Sequence, residues 1–286
     1  MQRWRGFVLT AVLVALSASF SGAAPLPTAR THRIEVAGAP GGLEAQMPRT
    51  GAYARGVRAD SELDFGAARQ LYTLAVDEFR RRGAELWADK ASRQVSYSMT
   101  LERAPMMFRQ MAPLGSVVSS AQWRLPFALA YHEKYLSTRA FLGRPVPELA
   151  ARARAVYRQI LDAEPDNASA RLDLAALYAE MGERADAEAE FARVGEARRS
   201  EDGHAIELAR YYAARGEADA ALRALERARR RLPGELRELG LMNSFDRVRR
   251  DPRFEALAGP SGGRGGTGPG SAWPDRPRPG PRIQWP

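Results

Sequence analysis

The side chains that could do chemistry are few and lie far apart in the chain. There are three histidines, His32, His132 and His204, and none has a second histidine three or four residues away. His132-Glu133 is not the two-histidine helix signature of zinc proteases, because Leu136 stands at the position of the second histidine. We therefore interpret the three histidines as ordinary surface or core residues rather than as metal ligands.

The sequence also lacks the other common catalytic motifs. The chain has no cysteine, so it has neither disulfides nor thiolate metal ligands. It contains no Gly-x-Ser-x-Gly elbow and no glycine-rich phosphate loop followed by Lys-Ser or Lys-Thr. The sequence therefore predicts no catalytic, metal-binding or cofactor-binding residue. The less favoured alternative is an enzyme whose acidic residues come together only in the fold, with its site in residues 60–126.

The net charge of +9 does not by itself indicate a nucleic-acid-binding protein. Of the 43 basic residues, only Lys90 and Lys134 are lysines, a preference for arginine that is typical of a GC-rich bacterial genome. The arginines also alternate with acidic residues along predicted helices, as in EFRRRGAELWADK, which is typical of a solvated face. No nucleic-acid-binding motif accompanies the charge, so we expect no nucleic-acid partner.

The N-terminal sequence has the pattern of a secretory signal. Two arginines in MQRWRG precede an apolar, uncharged run over residues 7–20, and small residues follow at 21–24. This run is shorter than the roughly 20 residues that a membrane-spanning helix needs. We therefore expect a signal peptide over 1–23 and a periplasmic or secreted protein. The alternative is a signal that is kept as an uncleaved membrane anchor.

The composition of the remaining chain predicts several segments of different structure. Residues 24–58 are rich in Pro, Gly and Ala and are expected to form a flexible segment, and residues 59–143 a mostly helical N-terminal region. Within that region, apolar residues alternate with Ser and Thr over 94–103, which predicts a strand that pairs with 32–38. The alternative is that tertiary context makes this stretch helical. The tail, 259–286, is Gly- and Pro-rich and is expected to be disordered.

One stretch of the chain recurs at a fixed distance. LDLAALYAEMGERADAEAEF at 172–191 is followed, 34 residues later, by IELARYYAARGEADAALRAL at 206–225. A fixed period of this size indicates stacked structural repeats. In each unit, Leu and Tyr four residues apart predict one face of a first helix, Gly ends that helix, and small alanines let a second helix cross closely. The residues identical in the two units are Leu174/Leu208, Ala175/Ala209, Tyr178/Tyr212, Ala179/Ala213, Gly182/Gly216, Glu183/Glu217 and Ala187/Ala221.

These positions resemble the tetratricopeptide repeat (TPR) family, in which Leu, Ala, Tyr, Gly, Ala and a large apolar residue recur at this spacing. The resemblance covers two units, 168–201 and 202–235, and the second helix of a preceding unit at 153–167. Residues 241–257 resemble the Asp-Pro-x-Phe ending of many bacterial TPR proteins, where a final helix closes the stack. The resemblance implies a mainly α fold, a short TPR-like α-solenoid over 144–258 with an N-terminal helical extension.

Two units and a half are fewer than the roughly three that a stable solenoid needs. Apolar residues recur at helical spacing over 127–142, from Phe127 through Tyr131 and Tyr135 to Phe141. We therefore expect this helix to stack in front of the repeats as a degenerate first helix.

The resemblance implies a protein-binding scaffold, because TPR units present a concave face formed by their first helices. By position, that face is mostly small and apolar, which suits a bound peptide or amphipathic helix. We therefore expect a protein or peptide partner, no cofactor, and a scaffold or adaptor role in the bacterial cell envelope. The alternative is a structural component of an envelope assembly that self-associates. The expected partner-binding residues are Leu172, Ala176, Ala179, Glu180, Ile206, Arg210 and Ala213, with Ser169 and Ala214 beside them.

The implied face differs from that of the TPR subtype that clamps acidic chaperone tails. Leu172 and Ala176 stand where that subtype has a lysine and an asparagine. We expect no measurable affinity for an acidic C-terminal peptide, because its carboxylates would lie against apolar side chains without a partner. Titration of a fluorescently labelled acidic peptide, with a neutral peptide of equal length as control, measures this. Micromolar affinity for the acidic peptide alone would contradict the expectation.

Overall fold

The computed structural model describes residues 48–49, 51–111, 119–231 and 241–258. Within these ranges every regular element is a helix, and the prediction of a mainly α repeat fold is confirmed. Two three-residue 3-10 helices, Asp202–His204 and Asn243–Phe245, lie between the α-helices. The α-helices are α1 Gly51–Ser61, α2 Phe65–Arg81, α3 Glu85–Met111, α4 Ser120–Leu142, α5 Pro147–Ala163, α6 Ala168–Met181, α7 Arg184–Arg193, α8 Glu196–Ser200, α9 Ala205–Arg215, α10 Ala218–Arg231 and α11 Pro252–Ala258.

The boundaries of the repeated helices follow from local chemistry. The side chain of Asn167 accepts a hydrogen bond from the backbone N–H of Ala170, at 2.9 Å, and so caps the start of α6. Gly182 and Gly216 end α6 and α9 with φ of 81° and 79°, in the left-handed region that glycine adopts without steric cost. The two glycines hold equivalent positions in the recurring sequence, so each unit turns in the same way.

The helices pack as successive pairs. Helix α4 packs on α5, α6 on α7 and α9 on α10, and the first helices α6 and α9 pack on each other. Helix α4 therefore occupies the place of the first helix in a leading pair, where we expected it. The N-terminal helices α1, α2 and α3 pack in sequence, and both α1 and α3 also contact α4. Helix α4 thus lies between the N-terminal helices and the repeats.

Hydrophobic packing joins the end of the chain to the last repeat. Phe245 and Phe254 are buried together with Leu208, Leu222 and Leu225 in one cluster. Their ring centroids lie 6.2 Å apart. These aromatic residues cover the apolar surface that the last pair of helices would otherwise expose, as a solenoid requires at its end.

The strand predicted over 94–103 is wrong, because the whole stretch lies inside α3. Its buried residues, Gln94, Ser98 and Leu101, are spaced by three or four, as in one face of a helix. Met99, which the alternating pattern placed on the buried face of a strand, is exposed. The buried face carries the polar residues Gln94 and Ser98, and this hid the helical period. The hydroxyl of Ser98 and the backbone carbonyl of Gln94 accept hydrogen bonds from the buried ammonium of Lys134. The predicted partner strand, 32–38, lies outside the described residues.

The expected flexible segment over 24–58 is wrong for its last part, because α1 begins at Gly51. Tyr53 is almost completely buried, and its ring lies 5.3 Å from the ring of Tyr72 and 5.7 Å from that of Trp87, centroid to centroid. The expected signal peptide, 1–23, and the tail, 259–286, lie outside the described residues. No helix in the described ranges is long and apolar enough to cross a membrane.

A completely buried ion pair connects the N-terminal helices to α4. The Lys134 ammonium on α4 lies 2.8 Å from a carboxylate oxygen of Asp60 on α1, and neither side chain is exposed. Tyr72 on α2 donates to the same oxygen at 2.7 Å, and Lys134 donates to the hydroxyl of Ser98 on α3 at 2.8 Å. Burial raises the pKa of Asp60 and lowers the pKa of Lys134, while the attraction between the two charges opposes both shifts.

We expect Lys134→Met to lower the free energy of unfolding by about 3–5 kcal/mol, because it leaves the Asp60 carboxylate buried without its cation. Lys134→Met/Asp60→Asn should recover part of this loss, because the amide carries no charge. Urea unfolding followed by circular dichroism measures both. Arg223→Met on the exposed face of α10 is the matched control. A loss below about 1 kcal/mol for Lys134→Met, the value for a surface pair, would show that the pair does not hold these helices.

Candidate functional site

The face formed by the first helices α4, α6 and α9 is the candidate functional site, because the sequence placed the partner-binding residues there. Leu172, Ala176 and Ala213 are completely or almost completely buried. Glu180 and Arg210 are also buried, while Ala179 and Ile206 are half-buried. None of the seven expected residues is exposed. In this structure these residues therefore contact other parts of the chain, and their role in partner binding stays a prediction.

Two parts of the chain cover this face near the C-terminal end of α6. Arg139 on α4 donates hydrogen bonds to the carboxylate and to the backbone carbonyl of Glu180. Arg247, which follows the 3-10 helix Asn243–Phe245, lies 3.1 Å from the Glu180 carboxylate and donates to the carbonyl of Ala214 on α9. Glu180 therefore binds two arginines of the same chain instead of facing an open groove.

Arg210 has a structural contact that the sequence did not reveal. Its guanidinium lies 2.7 and 2.9 Å from the two carboxylate oxygens of Asp173, and so it links α9 to α6. Both side chains are buried. Burial raises the pKa of Asp173, and the neighbouring Arg210 opposes this rise. The charge of Arg210 is thus neutralised by Asp173 of the same chain.

Glu133 holds the C-terminal part of the chain against this face. It is completely buried, and its carboxylate accepts hydrogen bonds from the backbone N–H groups of Asn243, at 2.6 Å, and Ser244, at 3.4 Å. The amide of Asn243 donates to the backbone carbonyl of Glu133 at 3.2 Å. Burial raises the pKa of Glu133, and the hydrogen bonds from Ser244 and Asn243 oppose this rise. A carboxylate on α4 therefore takes the place of a backbone partner for two successive amides.

Lys90 provides the opposite charge beside Glu133. Its ammonium on α3 lies 3.0 Å from the carboxylate of Asp246 and 3.2 Å from the side-chain oxygen of Asn243. Arg249 also contacts the Asp246 carboxylate, at 2.6 Å. Burial lowers the pKa of Lys90, and Asp246 opposes this shift. Both lysines of the chain are therefore buried, and their rarity was the one sequence signal that singled them out.

His132 is a core residue. It is almost completely buried, and its ring packs edge-on against Tyr157 with centroids 6.3 Å apart. Burial, together with the positive charges of Arg210 and Arg139, lowers the pKa of His132 to about 3, so the imidazole is neutral at pH 7. His32 lies outside the described residues. Within the described ranges no group of three or more His, Asp and Glu side chains is placed to hold a metal ion.

One end of the face opens into a cavity of about 460 Å³. The Ser169 hydroxyl lies 3.2 Å from Nδ1 of His204, whose Nε2 lies 3.6 Å from the Glu201 carboxylate. Glu164 at the rim accepts hydrogen bonds from the Ser119 hydroxyl and other groups near the start of α4, so its charge is already satisfied. The cavity is lined by Leu125, Glu164, Pro165, Asp166, Asn167, Ala168, Ser169, Arg198 and His204.

We expect Arg210→Met to lower the free energy of unfolding by about 3–5 kcal/mol, because Asp173 would then be a buried charge without a partner. A residue that served only to bind a partner would have little effect on stability. Arg215→Met, which removes an arginine from partly exposed ion pairs on the same helix, should cost no more than about 1 kcal/mol. Urea unfolding measures both variants, and equal losses would contradict a structural role for Arg210.

Residues 149–207 match the family model of the tetratricopeptide repeat. No curated protein and no solved structure matches the chain significantly. The matched range runs from α5 through α8 to the first turn of α9, and it contains the first of the two recurring units. The match supports a tetratricopeptide repeat within this range, and such repeats suggest a scaffold for protein–protein interaction.

Proposed function

We propose that the protein is a non-enzymatic scaffold of the bacterial cell envelope that binds a segment of a partner protein at the open end of the first-helix face. The TPR match supports protein binding. The charged, apolar and small-residue order of residues 1–24 supports export to the periplasm or beyond. The observation that carries the proposal is the cavity beside Ser169, because the seven residues expected to bind a partner are wholly or partly covered by other parts of the chain.

The cavity has the size and chemistry for a side chain or short segment of a partner. Its volume of about 460 Å³ lies within the roughly 300–1,000 Å³ that is usual for binding pockets. Leu125 offers apolar surface, and the adjacent Ser169 and His204 side chains, 3.2 Å apart, offer hydrogen-bonding groups. Binding sites of scaffolds commonly combine an apolar anchor with a few such polar groups. We therefore place the primary partner contact at this end of the stack.

Ser169→Arg tests this proposal, because a long charged side chain in the first turn of α6 would fill the cavity. Ala189→Arg is the matched control, since it adds the same side chain at an exposed position of α7. Each variant and the wild-type chain are used to capture proteins from an envelope extract. We expect a protein that is retained by the wild type and by Ala189→Arg and is reduced at least tenfold by Ser169→Arg.

Circular dichroism of the three chains must coincide before capture is compared. If all three retain the same proteins equally, the cavity is not the partner site. If the wild type retains no protein from an envelope extract, while the folded chain is intact, the scaffold role in the envelope is contradicted.

A further inference from the structure

We infer that the closing segment, residues 241–250, is an intramolecular occupant of a peptide-binding face on α4, α6 and α9. The partner that this face fits is a short segment with a buried aromatic residue followed by an acid and an arginine, the pattern of Phe245, Asp246 and Arg247. This inference goes beyond the proposed function, because it concerns the part of the first-helix face that the closing segment covers and not the Ser169 cavity.

Glu133 binds the closing segment through backbone groups. A carboxylate that accepts the N–H groups of two successive residues, Asn243 and Ser244, recognises a turn of any sequence. Glu133 is completely buried in this structure. When the closing segment leaves, the carboxylate needs either water or another backbone in its place, because a buried carboxylate without donors is costly.

Two charged residues near Glu133, Lys90 and Glu180, determine which side chains a bound segment must carry. Lys90 on α3 binds Asp246 at 3.0 Å, and Glu180 on α6 lies 3.1 Å from Arg247. The two receptor charges come from different helices and have opposite signs. They therefore fix the order in which an acid and an arginine must follow each other.

Apolar burial anchors the centre of the segment. Phe245 is completely buried, and Met242 and Val248 are nearly so. They belong to the same cluster as Leu172 and Ala213, which the sequence placed on the partner-binding face. The closing segment thus uses part of the surface that the TPR resemblance assigns to a ligand.

The closing segment has little regular structure of its own. Between Leu241 and Asp251 the structure has only the three-residue 3-10 helix Asn243–Phe245 and turns. Its conformation therefore depends mainly on contacts with α3, α4, α6 and α9. A separate peptide with the same side chains can make the same contacts, so it competes with the intramolecular segment.

A fluorescent peptide of residues 241–258 tests the inference by anisotropy titration against the full chain. The wild-type chain should bind it weakly, because its face is occupied and only the open fraction of molecules is competent. Phe245→Ala weakens the intramolecular occupant and leaves the receptor unchanged, so affinity for the peptide should rise at least tenfold. Adding Glu133→Gln to that variant should lower the affinity again at least tenfold. A peptide that carries Phe245→Ala itself is the matched control and should not bind.

Asp246→Ala provides a second opened chain if Phe245→Ala does not fold, because it keeps the apolar anchor and leaves Lys90 without a carboxylate that the Asp246 of the added peptide can supply. Folding is checked by circular dichroism. If the folded opened variants bind the peptide no better than the wild type, or if Glu133→Gln has no effect, the segment is a permanent cap and the inference is overturned. Capture by the Ser169 cavity is measured separately with envelope proteins, so the failure of one proposal is distinguishable from that of the other.

Discussion

The arrangement of this protein depends on the burial of three successive polar residues in the middle of α4. His132, Glu133 and Lys134 point to different sides of one helix, and all three are almost completely inaccessible. An ionised group inside a protein needs a partner of opposite charge or several hydrogen bonds. Lys134 finds its partners on α1 and α3, and Glu133 finds its partners in the closing segment. Helix α4 therefore fixes the N-terminal helices on one side and the end of the chain on another.

The repeats could be predicted because their signals are local. Glycines 182 and 216, and the leucines and tyrosines before them, act within a few residues of their own position, so the spacing alone indicates the helices. The buried ion pairs could not be predicted in this way, because Lys134 and Asp60 are 74 residues apart and Lys90 and Asp246 are 156 apart. The helix over 94–103 was missed for the same reason, since the role of Ser98 depends on Lys134.

The two lysines show how composition can carry information about a site. The chain uses arginine almost everywhere, including the buried Arg210, yet both of its lysines are buried. Lys134 is enclosed by Asp60, Ser98 and the ring of Tyr72, whose centroid lies 4.4 Å from the ammonium. A compact ammonium fits such a site, whereas the planar guanidinium is larger and has five donors to satisfy. At Lys134, therefore, arginine is not an equivalent cation.

In this fold, the surface that stabilises the folded chain is the same surface that could bind a partner. A stack of so few repeats buries too little apolar surface by itself, and here α4 and the closing segment cover the face that a longer solenoid can leave open. Each contact that completes the core, such as that of Phe245 or Glu133, also removes a place where a partner could bind. A partner that uses this face must replace those contacts with equivalent ones, because the buried charges of Glu133 and Lys90 cannot be left without partners. The closing segment therefore sets both the chemistry and the minimum affinity of any ligand for this face.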